Sequence, residues 1–252
     1  MIIDRSALAT SKKLGCLFII VHLFKLYFRL NNLKLCTFLI KMEAQLPQPL
    51  AAHYPRAQVV AYQYYLGRLQ VFEEKYEEAE ACLEYAFQHC HRASPNNKRR
   101  ILQFLVPVKL LRSRFPQDAL LTKYNLPEFA ALIHAIRAGD LSSFNATLLA
   151  HQAIFISRGI YLLLEKCKSF VYRNLFRKVA GFHAAETGEQ SAKHQLPLDT
   201  LIAALRINGI DMSVEELECI LANLIFQNQI KGYIAHRRCV VLSKQDPFPK
   251  AA

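Results

Sequence analysis

A chain of 252 residues, 52% hydrophobic and 21% charged, is long enough for one large folded domain or two small ones and too apolar for a disordered segment. Its seven cysteines (Cys16, Cys36, Cys82, Cys90, Cys167, Cys219 and Cys239) are odd in number, scattered and never spaced as CxxC, which excludes a disulfide framework and suits reduced, mostly buried thiols in the cytosol or nucleus. The net charge of +12 favours an anionic partner, either nucleic acid or an acidic protein.

Residues 1–13 show no period. Residues 14–24 are almost wholly apolar behind Lys12 and Lys13, as in a signal peptide, but no small-residue cleavage site follows and charge resumes at Lys25 and Arg29. The run is also shorter than the roughly 20 apolar residues a bilayer requires, so a buried helix in a helical array is expected. Residues 56–90 read as a helical hairpin. Tyr62, Tyr65, Leu69 and Phe72 line its first helix, and Ala79, Leu83, Ala86 and Phe87 line the second. Leu66-Gly67, Ala79, Leu83 and Ala86 fall at the tetratricopeptide spacing, where small residues let antiparallel helices approach closely. Glu73, Glu74, Glu77 and Glu78 flank the turn, and acids at the start of the second helix suit its macrodipole. One such repeat cannot bury both of its faces. Residues 14–40 and 101–112 are the expected neighbours, with Pro107 kinking or splitting the latter.

Pro127 opens a further helix that ends at Gly139, and Asp140 caps the next, whose apolar face is Leu141, Phe144, Leu148 and Leu149. Helical register resumes near Ala153 and runs through Ile160, Leu163 and Leu164 toward Phe176. Residues 183–194 are polar and read as an exposed loop. Residues 196–244 change period midway. Residues 198–207 are apolar at helical spacing and stop at Asn208-Gly209, and Ser213-Val214-Glu215-Glu216 is a capping box before the stripe Leu217, Ile220, Leu221, Leu224, Ile225. The β-branched runs 230–234 and 239–242 then flank a basic tip, His236-Arg237-Arg238, and form a hairpin. With a helix from Ser169 before them, these elements make a winged helix. The expected organisation is mostly α: an unplaced segment 1–13, a right-handed tetratricopeptide-like stack over 14–165, a winged helix over 166–244 and a Pro-rich tail over 245–252.

The segments YYLGRLQVFEEKYEEAEACLEYAFQHCHR, NKRRILQFLVPVKLL, FISRGIYLLLEK, YRNLFRKV, VEELECILANLIFQNQIKGYI and VVLSKQDPFP together resemble the PCI-domain subunit of the nuclear complex that couples transcription to messenger-RNA export, a family also named for its similarity to a signalosome subunit. The resemblance covers roughly residues 18–249. Members of that family are longer at the N-terminus, residues 1–13 do not resemble the additional part, and residues 181–195 depart from the family pattern; a truncated start is expected. The resemblance implies a non-catalytic adaptor in the nucleus, associated with the nuclear pore, with the cytoplasm as a second location and with no cofactor. Implied partners are the export-complex scaffold subunit, a small acidic protein shared with the proteasome lid, and RNA or DNA without strong sequence preference. The alternative is a scaffold subunit of a signalosome-like or lid-like assembly that makes protein contacts only.

The residues themselves offer no catalytic set. Cys90 sits between His89 and His91, but adjacent histidines on a helix diverge by about 100°, so a helix terminus accounts for them better than a metal site. No Gly-rich phosphate loop or nucleophile elbow occurs. The charge is concentrated instead. Lys98, Arg99, Arg100, Lys109, Arg112 and Arg114 fall in one acid-free stretch, while Arg158, Lys166, Lys168, Arg173, Arg177 and Lys178 face only Glu165 in another. Arg173 and Arg177 share a helix face, with Lys166 near the same line and Lys178 beside it. Placed next to a wing bearing Arg237 and Arg238, with Lys231 and Lys244 nearby, they would hold phosphates without reading sequence. Glu215, Glu216 and Glu218 at the start of the second winged-helix helix oppose duplex reading. Asn223 and Gln227 suit nucleic acid, solvent or a protein interface, and Phe248 between two prolines suits a protein anchor or a core position.

Overall fold

The computed structural model describes residues 12–44, 53–187 and 194–249; the aperiodic start before residue 12 lies outside the described residues. The chain divides into two compact units, Met1–Val108 and Lys109–Ala252.

In the first unit a short turn, Lys12–Gly15, leads into α1 (Cys16–Arg29) and α2 (Leu33–Ala44), followed by α3 (Arg56–Phe72), α4 (Tyr76–His89) and the start of α5 (Pro95–Leu111). The apolar run at the start is a helix, as expected, and buries one face: Cys16, Leu17, Ile20 and Phe24 pack with Cys36, Leu39, Tyr62 and Leu69. None of the described helices is long and apolar enough to cross a membrane. The α3–α4 hairpin is closed by Ala79, Leu83 and Ala86, all inaccessible to solvent. Gly67 makes the approach possible, because a Cβ there would lie 2.7 Å from Leu83 Cγ. Gly67→Val is therefore expected to lower the stability of this unit by about 2 kcal/mol, since the extra methyls must displace a packed branch point rather than a flexible chain end; an unchanged thermal midpoint by circular dichroism would contradict this. The second helix ends at His89, whose ring stacks on Tyr85 at 3.9 Å, and His91 accepts from the Ala93 N–H. Pro107 does not split its helix: α5 continues through it to Leu111.

The second unit continues through α6 (Asp118–Lys123), α7 (Pro127–Ala138), α8 (Leu141–Ala150), α9 (Gln152–Arg158), α10 (Tyr161–Lys166) and α11 (Lys168–Glu186). Asp140 caps α8, its carboxylate accepting from Ser143 N–H at 2.9 Å and Ser143 Oγ at 2.6 Å. The single register expected from residue 153 toward 176 is broken into three helices: Gly159 at φ 71° ends α9, and Cys167 separates α10 from α11. The loop expected over 183–194 begins later: α11 runs to Glu186, and residues 188–193 lie outside the described residues.

A three-stranded antiparallel sheet and two helices complete a winged helix with α11. Its elements are β1 (Gln195–Pro197), α12 (Leu198–Ile207), α13 (Val214–Phe226), β2 (Gly232–Ala235) and β3 (Cys239–Leu242), with strand order β1-β3-β2. The capping box at Ser213 and Glu216 is formed in both directions. β1 is an addition to the expected hairpin; three residues ending in proline carry no readable alternation, and its pairing of Leu196 with Val240 defines it. Packing divides the chain within α5, whereas the partition expected from the sequence falls at residue 166, the last residue of α10. Helix α11 serves both parts, packing on α7, α8 and α10 as well as on α12.

Candidate nucleic-acid interface

Helix α11 is anchored to the end of α7 by two of its own polar side chains. Gly139 turns the chain at φ 66°, and a Cβ there would meet the Leu175 backbone nitrogen at 2.6 Å, so the two helices touch at backbone distance. The last carbonyls of α7 lack helical partners. Asn174 Nδ2 donates to Ile136 O at 2.7 Å and Lys178 Nζ donates to Ala138 O at 2.6 Å, placing a cation at the negative end of the α7 dipole.

Arg173, one turn before Arg177, is inside: it is 7% exposed. Its Nε donates to Gln229 O at 3.2 Å, Nη1 to Asn174 Oδ1 at 3.0 Å, and Nη2 to Phe248 O at 2.7 Å and Pro249 O at 2.6 Å. Burial first, and the Arg177 charge second, hold this guanidinium below its usual pKa, with Asp246 acting in the opposite direction. Arg158, also in the second basic stretch, pairs at 2.9 Å with Glu128, itself only 6% exposed.

Arg177 is exposed and opens onto a cleft of about 1050 Å³ that it shares with Arg112, Arg114, Arg137 and Arg173. Phe115, Phe170 and Phe248 form apolar parts of its wall, and the Arg137 guanidinium lies over the Phe115 ring at 5.1 Å. Among the described residues of the lining, Asp246 is the one acid. The cleft thus joins the end of the first basic stretch to the second, which neither stretch indicates by itself. The acid-free charge of residues 98–114 points to Arg112 and Arg114, but nothing local points to Arg137, which α7 delivers.

The remaining sequence-based candidates are distributed differently from the single face that spacing suggested. Lys166 is exposed at the end of α10, and neither it nor Lys231, Arg237 or Arg238 lines the cleft. On the wing, Arg237 Nη2 donates to Glu215 at 3.1 Å, its backbone N–H donates to Glu218 Oε1 at 2.7 Å, and His236 Nδ1 lies 2.9 Å from Glu218 Oε2. The backbone hydrogen bond from Arg237, followed by the contact from His236, holds the Glu218 carboxyl below its usual pKa. The wing tip and the start of α13 therefore largely neutralise one another. Of the carboxylates expected to repel phosphate, Glu215 and Glu218 face the wing, where Arg237 engages them, and Glu216 closes the capping box with Ser213. Arg238 and Lys231 are exposed. Asn223 is exposed on α13, whereas Gln227 Oε1 accepts from the buried Gln229 Nε2 at 2.8 Å, which reduces its value as a contact for a partner. Phe248 is half-buried against the cleft rather than projecting as an anchor. No group of three or more His, Cys, Asp or Glu suited to holding a metal ion occurs among the described residues.

Residues 146–244 match the family model described as PCI domain. The chain carries a PCI domain. The likeness extends beyond that domain: the chain is 45% identical to PCI domain-containing protein 2 of Danio rerio over 98% of its own length and 60% of that protein's. It is 44% identical to the PCI domain-containing protein 2 homolog of Dictyostelium discoideum over 96% of its own length and 55% of the relative's. To the protein CSN12 homolog of Neurospora crassa it is 38% identical over 98% and 57%, respectively. The chain thus spans about 60% of the length of the curated relatives it matches. Arg173 and Arg177 belong to the PCI domain proper, while Arg112, Arg114, Arg137 and the 246–249 segment lie outside the matched region. The arginine cleft is built at the edge of the PCI domain, from the helices before it and the chain after it.

Proposed function

We propose that this chain is a non-catalytic adaptor subunit of a nuclear messenger-RNA export complex, associating with a scaffold subunit and a small acidic chain and contacting RNA or DNA through the arginine cleft. The observation that carries the nucleic-acid reading is the convergence of Arg112, Arg114, Arg137, Arg173 and Arg177 on one cleft with aromatic walls. Guanidinium groups suit phosphate oxygens, and phenyl faces tolerate any base, so the pairing favours binding without sequence preference. The seat of contact moves from the wing, where Arg237 is already paired, to α11 and α7. The export setting and the nuclear location rest on the family resemblance and on the relatives named PCI domain-containing protein 2.

The second reading is a subunit of a signalosome-like or lid-like assembly that uses its basic surface for protein alone. A relative named CSN12 homolog and the self-neutralised wing favour it. Tagged purification from nuclear extract, with and without nuclease, separates the two. The export reading expects a scaffold subunit and a small acidic protein to be retained after nuclease treatment, together with salt-sensitive binding of single-stranded oligonucleotides by the purified chain. Recovery of signalosome or lid subunits without oligonucleotide binding would establish the second reading instead.

A further inference from the structure

We propose that residues 246–249 form a strap that occupies part of the arginine cleft and that a phosphate-bearing strand displaces it, releasing Arg173 for binding. This inference rests on the reading of the cleft as a phosphate site and concerns its regulation. The strap is held at two places: Pro247 O accepts from Lys231 N–H at 2.8 Å, and Phe248 O and Pro249 O both accept from Arg173 Nη2. It presents to the arginines what a nucleic-acid strand presents, a row of oxygen acceptors with a negative charge beside them, here the Asp246 carboxylate.

The occupancy is replaceable on chemical grounds. The acceptors that hold Arg173 are uncharged carbonyl and amide oxygens, each taking a single bond, whereas a phosphate adds a negative charge and a bidentate geometry that matches the guanidinium fork. Asp246 sits at φ 42°, in the left-handed region, so the strap leaves the hairpin through a bend rather than as a continuation of β3. Phe248 forms part of the cleft wall and moves with the strap. Binding by the intact chain is then weaker than the cleft's own capacity, because displacement of the strap opposes it.

The probe is a fluorescein-labelled oligouridylate of about 15 nucleotides, titrated by anisotropy into the purified chain at several salt concentrations. Asp246→Asn preserves a left-handed bend, which Asn tolerates, and is expected to tighten binding by about three- to fivefold, the effect of one unit charge a few ångström from a phosphate in water. Deletion from residue 246 onward is expected to tighten binding further and to steepen the logarithmic salt slope by about 0.7, the signature of one more phosphate contact on a single strand. If both variants bind as the unaltered chain does while Arg177→Glu weakens binding, the strap inference is overturned and the cleft reading stands. If Arg177→Glu has no effect, or if neither the unaltered chain nor either strap variant binds the probe, both fall. Asp246→Asn decides alone should the deletion fail to fold.

Discussion

Arg173→Met is expected to lower the thermal midpoint of the second unit by roughly 6–12 °C, the equivalent of about 3 kcal/mol in a unit of this size. The substitution keeps most of the side-chain stem and removes every donor. Gln229 O and Asn174 Oδ1 then lose their guanidinium partner in a buried setting, where an unsatisfied acceptor costs about 1–3 kcal/mol. Phe248 O and Pro249 O lose theirs too, but lie where water can reach them, so each contributes about 1 kcal/mol or less. Methionine is an apolar group of similar length, so part of the desolvation cost of the buried charge is recovered. Arg173→Lys retains the charge without the fork: one ammonium cannot span Gln229 O on one side and the strap on the other, and an intermediate loss is expected. A midpoint unchanged by Arg173→Met would show that the buried guanidinium does not hold α11, residue 229 and the strap together.

That residue also marks where sequence reasoning stops. The winged helix was legible because its signals are local: a capping box at Ser213 and Glu216, a helical stripe on α13, and a shift to period two at the hairpin. The repeat hairpin was legible because Gly67, Ala79, Leu83 and Ala86 are small or apolar at contact positions, and the structure packs Gly67 against Leu83. The site was legible only as charge. Helical spacing places Arg173 and Arg177 on one face, but it does not say that Gln229, Phe248 and Pro249, more than fifty positions away, close over the first and not the second. The same limit explains the wing. Glu215 and Glu218 precede Arg237 by about twenty residues, and only the fold of β2 brings them within hydrogen-bonding distance. Strand β1 was missed because its three residues carry no alternation; it exists because β3 offers an unpaired edge to residues 195–197.

The largest effect on binding is expected from reversing the charge of Arg114, Arg137 and Arg177 together. All three side chains are exposed, and all three line the cleft, so the change touches its electrostatics more than the core. Counterion release gives the scale: each phosphate contact on a single strand contributes a logarithmic slope of about 0.7, hence about fivefold in affinity at about 0.1 M salt. Three lost contacts predict at least a hundredfold weaker binding of the oligouridylate and a slope shallower by about 2. The informative comparison is the triple change Lys231→Gln, Arg237→Gln and Arg238→Gln on the wing. Arg237 is paired with Glu215 and touches Glu218 through its backbone, so its charge is already largely compensated, and exposed charges such as Lys231 and Arg238 act over only about one Debye length. The wing variant should therefore lose about tenfold or less, with a slope change under 1. Equal losses from both triples would mean one continuous basic face across α11 and the wing, as helical spacing first suggested. A loss confined to the wing triple would place the phosphate contacts on Arg238 and Lys231 and leave the arginine cleft to a protein partner.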